Sequence, residues 1–239
     1  FLKSSDLTIA YDSETTGLDT INSQIIGFSL STKPHNGVYI PLAQEETLFD
    51  TEKISKEEAF FQLQRLFQEE KVTIVFHNAK FDLKILSSNG FRLPGGKNKC
   101  SIQDTMLAAW LLNPERTSKN GYSLESLAET KLNLAGIEFE EIVHKGETFL
   151  NVPLEKATEY ASEDADFTLQ LWFKLEEELR TSNLYELYQN IEMKILPILA
   201  KMELTGINLD SQTLIEYNKE LTQGILEIEK NIYEEVDVS

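Results

Sequence analysis

"LTIAYDSETTGLD", residues 7–19, places Asp12 and Glu14 two apart at the end of an apolar β-type run, residues 7–11, and follows them with Thr15, Thr16 and Gly17, which open a turn. Alternate residues of an extended chain leave from the same face, so the two carboxylates converge. An exposed sheet edge would tolerate such a pair. A buried one needs compensation, and what the rest of the chain brings alongside decides between them.

Two more β-type runs follow, Ile25–Ser31 and residues 37–42 ("GVYIPL"), divided by turn residues, so the first forty residues predict an antiparallel meander. Ser55 and Glu58 form a capping-box pair ahead of Phe60, Leu63, Leu66 and Phe67 at helical spacing, and that helix leads into a fourth strand, Val72–Phe76. "HNAKFDLKILSSNG", residues 77–90, turns from strand end into a helix that stops at Gly90, and a short strand near residues 99–102 makes the connection a parallel crossover. Helices are expected over about residues 104–112, 123–129 and 153–180. The pattern is α/β: a mixed sheet, antiparallel meander plus parallel strands, flanked by helices.

From Leu184 the chain reads as purely helical. Pro197 is expected to kink or end one helix, and after "TGINLD" a long helix carries an apolar seam of Leu221, Ile225, Ile228 and Ile232. The expected division is therefore residues 1–183 and a C-terminal helical appendage, residues 184–239.

Bulk composition narrows the function. With 239 residues and 41% hydrophobic content the chain can bury a sizeable core. Forty acidic against 22 basic side chains give a net charge of −18, a field that repels a polyanion at long range, so any nucleic-acid chemistry must be local. The single cysteine, Cys100, excludes an internal disulfide, and His35, His77 and His144 offer no zinc spacing. No apolar run reaches the ~18 residues of a membrane span, no cationic leader precedes one, and the sequence begins without Met. The expectation is a soluble, cytoplasmic, monomeric piece of a longer protein, with no membrane partner.

Two other acidic positions matter. Asp82 falls in the first turn of the helix after the fourth strand, where the helix dipole alone would favour it. Tyr160 and Asp164 are four apart on one helix face, beside Ala157, Ala161, Ala165 and Leu169, and alanines that small let a helix approach a sheet closely.

Taken in order, Asp-x-Glu at a strand end, Asn-x-x-x-Asp after a second strand and Tyr-x-x-x-Asp on a late helix resemble the DEDD 3′→5′ exonucleases, in the subgroup that carries Tyr. "YDSETTGLD", "HNAKFDLKIL" and "YASEDADFTLQLW" are similar to the three exonuclease motifs of proofreading domains of the bacterial DNA polymerase I type (family A), and "GVYIPL" and "SLESLAE" fit the connecting stretches. "YQNIEMKILPILAKMELTGINLD" resembles the start of that family's polymerase region. The resemblance implies an RNase H-like fold and a metal-dependent exonuclease that removes nucleotides from a single-stranded DNA 3′ end or frayed primer terminus, with the rest of a polymerase chain as partner.

Carried over residue by residue, Asp12, Glu14, Asp82 and Asp164 become metal ligands and Tyr160 a catalytic group, while Leu18, Asn78 and Phe81 hold the terminal nucleotides. The electrostatics agree: unit charges about 4 Å apart repel by roughly 4 kcal/mol at an effective dielectric of about 20, so four gathered carboxylates call for divalent cations. All-carboxylate ligation selects Mg²⁺ or Mn²⁺, and two ions suit phosphodiester hydrolysis. Asp12, Glu14 and Asp164 are assigned to one ion; Asp12 and Asp82, through water, to the other. Tyr160, with an ordinary pKa near 10, orients the attacking water rather than deprotonating it.

Two alternatives carry the same motifs: RNA 3′-end trimming of the RNase D type, because the motifs do not report a 2′-hydroxyl, and a silent domain that only supports a polymerase. "GFRLPGGKN", residues 90–98, has the wrong glycine spacing for a P-loop. His77 is expected to satisfy a backbone group, and Lys80 and Lys84 to be solvated.

Overall fold

The computed structural model describes residues 7–42, 54–93, 99–115 and 121–236. In chain order it has β1 (Leu7–Thr15), β2 (Ile25–Ser31), β3 (Gly37–Pro41), α1 (Lys56–Leu66), β4 (Val72–Phe76), α2 (Ala79–Ser88), β5 (Ser101–Asp104), α3 (Thr105–Leu112), α4 (Leu124–Leu127), α5 (Phe139–Ile142), α6 (Leu154–Thr181), α7 (Tyr185–Leu187), α8 (Met193–Thr205) and α9 (Ser211–Val236). The sheet runs β3-β2-β1-β4-β5. β1 pairs antiparallel with β2, and β2 with β3, which is the expected meander; β1–β4 and β4–β5 are parallel, which makes α2 the expected crossover helix. Most of "GFRLPGGKN", residues 94–98, lies outside the described residues.

β1 sits in the middle of the sheet and is longer than residues 7–11. It continues through Asp12, Ser13 and Glu14 to Thr15, with a register irregularity between Glu14 and Thr15. The acidic pair therefore lies within the strand, still paired with β2 although the pairing with β4 ends at Ala10. Pairing continues because the backbone groups of Asp12 and Glu14 are matched by Ser29 and Gly27 of β2; side-chain charge does not prevent a ladder.

Two layers of helix cover the sheet. On one face Tyr11 packs against Phe28, Phe67 and Phe76, with ring centroids 5.5–6.0 Å apart, next to α1 and α2. On the other face α6 crosses β1, β2 and β3. Its Ala157, Ala161 and Ala165 are almost fully buried. A Cβ on Gly37 at the head of β3 would overlap the Ser162 carbonyl, so that glycine is required by the close approach. Leu169, Leu171 and Leu175 of α6 are completely buried, each contributing on the order of 1.5–3 kcal/mol relative to exposure.

α8 continues past Pro197 instead of ending there. Just before it, residues Tyr188–Glu192 form a π-helical turn. The chain divides into two compact units, Phe1–Leu204 and Thr205–Ser239. Residues 184–204, set apart in the sequence reading, thus belong to the first unit, and Tyr188, Met193, Leu196 and Ala200 are buried in its core. The second unit is chiefly α9, capped by Asp210, which accepts from the Thr213 N–H at 3.0 Å. Among the described residues no helix is long and apolar enough to cross a membrane.

Candidate active site

Strand alternation turns Asp12 and Glu14 toward α6, where the alanine stripe lets Tyr160 and Asp164 come down onto them. One carboxylate oxygen from each of Asp12, Glu14 and Asp164 lies within 4.8 Å of the others. They sit in a cavity of about 470 Å³ that Tyr160, Leu18 and Phe81 also line. Leu18 is 88% exposed at the rim. The Tyr160 ring is held between Phe139 and Phe149, at centroid distances of 6.1 and 5.9 Å.

Asp82 and Asn78 stand apart from this lining. Asp82 is buried on α2 and accepts a 2.7 Å hydrogen bond from the Ser13 hydroxyl, while its carboxyl feels the charge of Asp12. Asn78 adopts the left-handed conformation at φ 66° and caps α2 without a side-chain bond; Asn tolerates this region better than most residues. Lys80 and Lys84 are not free on the helix surface: each Nζ is 2.7 Å from a Glu203 oxygen. His77 meets the Tyr122 carbonyl at 3.0 Å, and burial pushes its pKa down to about 4, so it is neutral.

The electrostatics single out the acidic group. Burial raises the Asp12 carboxyl from its ordinary 3.8 to about 6. Glu14, Asp82 and Asp164 are driven well above the usual carboxylate range by burial first and by the charge of Asp12 second. The Tyr160 phenol is pushed up by burial and by Asp164, so it stays protonated. No lysine or arginine lines the cavity among the described residues, and Glu14 Oε1 is buried without a hydrogen-bond partner. Such charges need a cation from outside the protein, and an all-carboxylate donor set fits a hard divalent ion.

The sequence reading missed several residues that shape the site. Asp104 at the end of β5 accepts from the N–H groups of Ala79 at 2.8 Å and Asn78 at 3.3 Å, and from Met106 and Leu107, so one side chain caps both α2 and α3. Only "QDT" ahead of an apolar helix hinted at its cap of α3; nothing local signalled the other. Gly27, opposite Glu14 on β2, leaves a notch for Tyr39: a Cβ there would overlap the Tyr39 hydroxyl. Glu125 of α4 adds a further negative charge felt by Asp12 and Asp164. Glu147 and Thr148, from a stretch the sequence left unassigned, line the cavity as well.

Comparison with known proteins gives the family and the fold. A family model described as 3′-5′ exonuclease, of the A-type DNA polymerase class, matches residues 1–180. A DNA polymerase I from Treponema pallidum is 34% identical over 256 residues, covering 94% of this chain and 25% of that protein; the chain spans about a quarter of the length of the curated relatives it matches. Among solved structures, Brucella melitensis NrnC with bound Mg²⁺ has a TM-score of 0.64 at 19% identity, covering 85% of this chain and 87% of that one. Escherichia coli RNase D, an exoribonuclease, has a TM-score of 0.63 at 17% identity, covering 84% and 46%. These two likenesses place the sheet and its helices in the RNase H-like fold.

Proposed function

The chain belongs to the 3′-5′ exonuclease family of A-type DNA polymerases, and we propose that it removes nucleotides from DNA 3′ ends by metal-dependent hydrolysis, as the proofreading part of a longer cytoplasmic polymerase. The observation that carries this is the meeting of Asp12, Glu14 and Asp164 within 4.8 Å beneath Tyr160. Those three carboxylates would hold one Mg²⁺ or Mn²⁺, and Asp82 with Asp12 a second, through water. Bound there, a divalent cation supplies positive charge to the attacked phosphate and the departing 3′ oxygen.

The chain's own groups do the positioning. Tyr160, kept protonated, bonds to Asp164 and presents its oxygen lone pairs to an attacking water, fixing the direction of attack. Leu18 at the rim wedges against the terminal base, and Phe81 gives the last nucleotide an apolar platform. The family resemblance assigns Asn78, at the start of α2 and outside the cavity lining, to the same nucleotide. With a net charge of −18 the fragment holds only a few nucleotides, and the rest of the polymerase supplies duplex affinity.

Incubation of 5′-labelled single-stranded DNA with the protein and Mg²⁺ should yield a ladder of shortened products that EDTA abolishes and Asp12→Ala lacks. An unshortened substrate, or an Asp12→Ala variant equal to the parent, rejects the reading. A strong preference for RNA oligonucleotides would move it to RNase D-type trimming, and no heat on Mn²⁺ titration would leave a silent polymerase support.

A further inference from the structure

The residue between the two acidic ligands of β1 has its own task. Alternation sends Asp12 and Glu14 toward α6, so Ser13, like Tyr11, faces α2. There its hydroxyl donates to Asp82 Oδ1 at 2.7 Å across 69 residues of sequence, with Ser13 9% and Asp82 2% exposed. We propose that Ser13 is a positioning residue, whose hydroxyl fixes the Asp82 carboxylate beside the Asp12–Glu14–Asp164 group. The proposal rests on the metal-nuclease reading above.

The physical need is plain. Asp82 is repelled by Asp12 and Glu14, and a carboxylate on a helix can rotate away from such neighbours about two side-chain torsions. Three restraints oppose this. Asp104 holds the start of α2 through the Asn78 and Ala79 N–H groups, which fixes the backbone of Asp82's turn. The packing of Tyr11 against Phe28, Phe67 and Phe76 keeps β1 from shifting beneath Ser13. The Ser13 hydroxyl then engages one carboxylate oxygen, which fixes the direction of the other. Hydrogen bonds to a charged acceptor are the stronger kind, and a buried one has no water to replace it.

The test compares the parent with Ser13→Ala and Ser13→Thr by Mn²⁺ calorimetry without nucleic acid, by shortening of labelled DNA and by thermal melting. Ser13→Ala should weaken both Mn²⁺ binding and turnover by about tenfold, the scale of one hydrogen bond to a charged group, while Ser13→Thr, which restores the hydroxyl, recovers to within about threefold. Should Ser13→Ala fail to fold, Ser13→Cys, near in size and a poor donor, carries the comparison. A competent parent matched by Ser13→Ala overturns the proposal alone, as does a Ser13→Thr variant impaired as much as Ser13→Ala. A parent that neither binds Mn²⁺ nor shortens DNA overturns the nuclease reading and the proposal with it.

Discussion

Glu14 on β1 and Asp104 on β5 are both buried carboxylates near the carboxyl end of a strand, 7% and 1% exposed, yet they are served in opposite ways. Four backbone N–H groups close on Asp104 at 2.8–3.3 Å. Glu14 Oε1 has no partner, and the charges that act on it, Asp12 and Asp82, are of the same sign. A buried charge compensated from within the chain is scaffold; one left uncompensated is held ready for something the chain does not contain.

Substitutions can break this contrast. Glu14→Gln removes an uncompensated charge while keeping the shape. It should reduce DNA shortening by roughly 10³-fold, the upper range for losing one electrostatic group at a reacting centre, yet raise the melting temperature of the metal-free protein. A lowered melting temperature would show that Glu14 is structural. Asp104→Ala should do the reverse of that stabilisation: with four N–H groups left unpaired and two helix starts uncapped, urea unfolding should show a loss of about 2–4 kcal/mol. A loss under about 0.5 kcal/mol, typical of surface sites, would remove its scaffold role.

Tyr160→Phe sharpens the comparison inside the site, because it deletes one hydroxyl and no charge. Turnover should fall by about 10²-fold with Mn²⁺ binding by calorimetry retained; loss of metal binding would make the hydroxyl part of the ligand scaffold instead.

The smallest expected effect is on pH. Asp12 and Asp104 are both raised from 3.8 to about 6, chiefly by burial, so between pH ~4 and ~6 the folded metal-free protein binds more protons than the unfolded chain. Its stability should therefore fall as pH rises through that window, by on the order of a few degrees in Tm, and Mn²⁺ should restore it at pH 7.5 by binding the deprotonated carboxylates. A metal-free melting curve that rises across the same window would contradict the burial argument.

Much of this arrangement is legible from neighbours in the chain. The period of two in "YDSE" puts Asp12 and Glu14 on one face, and the period of 3.6 in "YASED" puts Tyr160 over Asp164. The meander and the β4-α2-β5 crossover follow from turn residues and handedness rules in the same way. Other features fail locally. Pro197 reads as a kink or a helix end, yet α8 continues past it, and Ser13 is an unremarked spacer until α2 is placed against its face.

The sequence by itself determined which groups share a face and which chemistry they could support together, because backbone geometry ties residues two or four apart. Only the tertiary structure decided that Ser13 meets Asp82 and that Asp104, 25 residues downstream of Ala79, caps the helix carrying Asp82. Those partners come within hydrogen-bonding reach once the sheet order β1-β4-β5 lines up the strand ends, and no local pattern encodes a contact that loop closure and long-range pairing must first create.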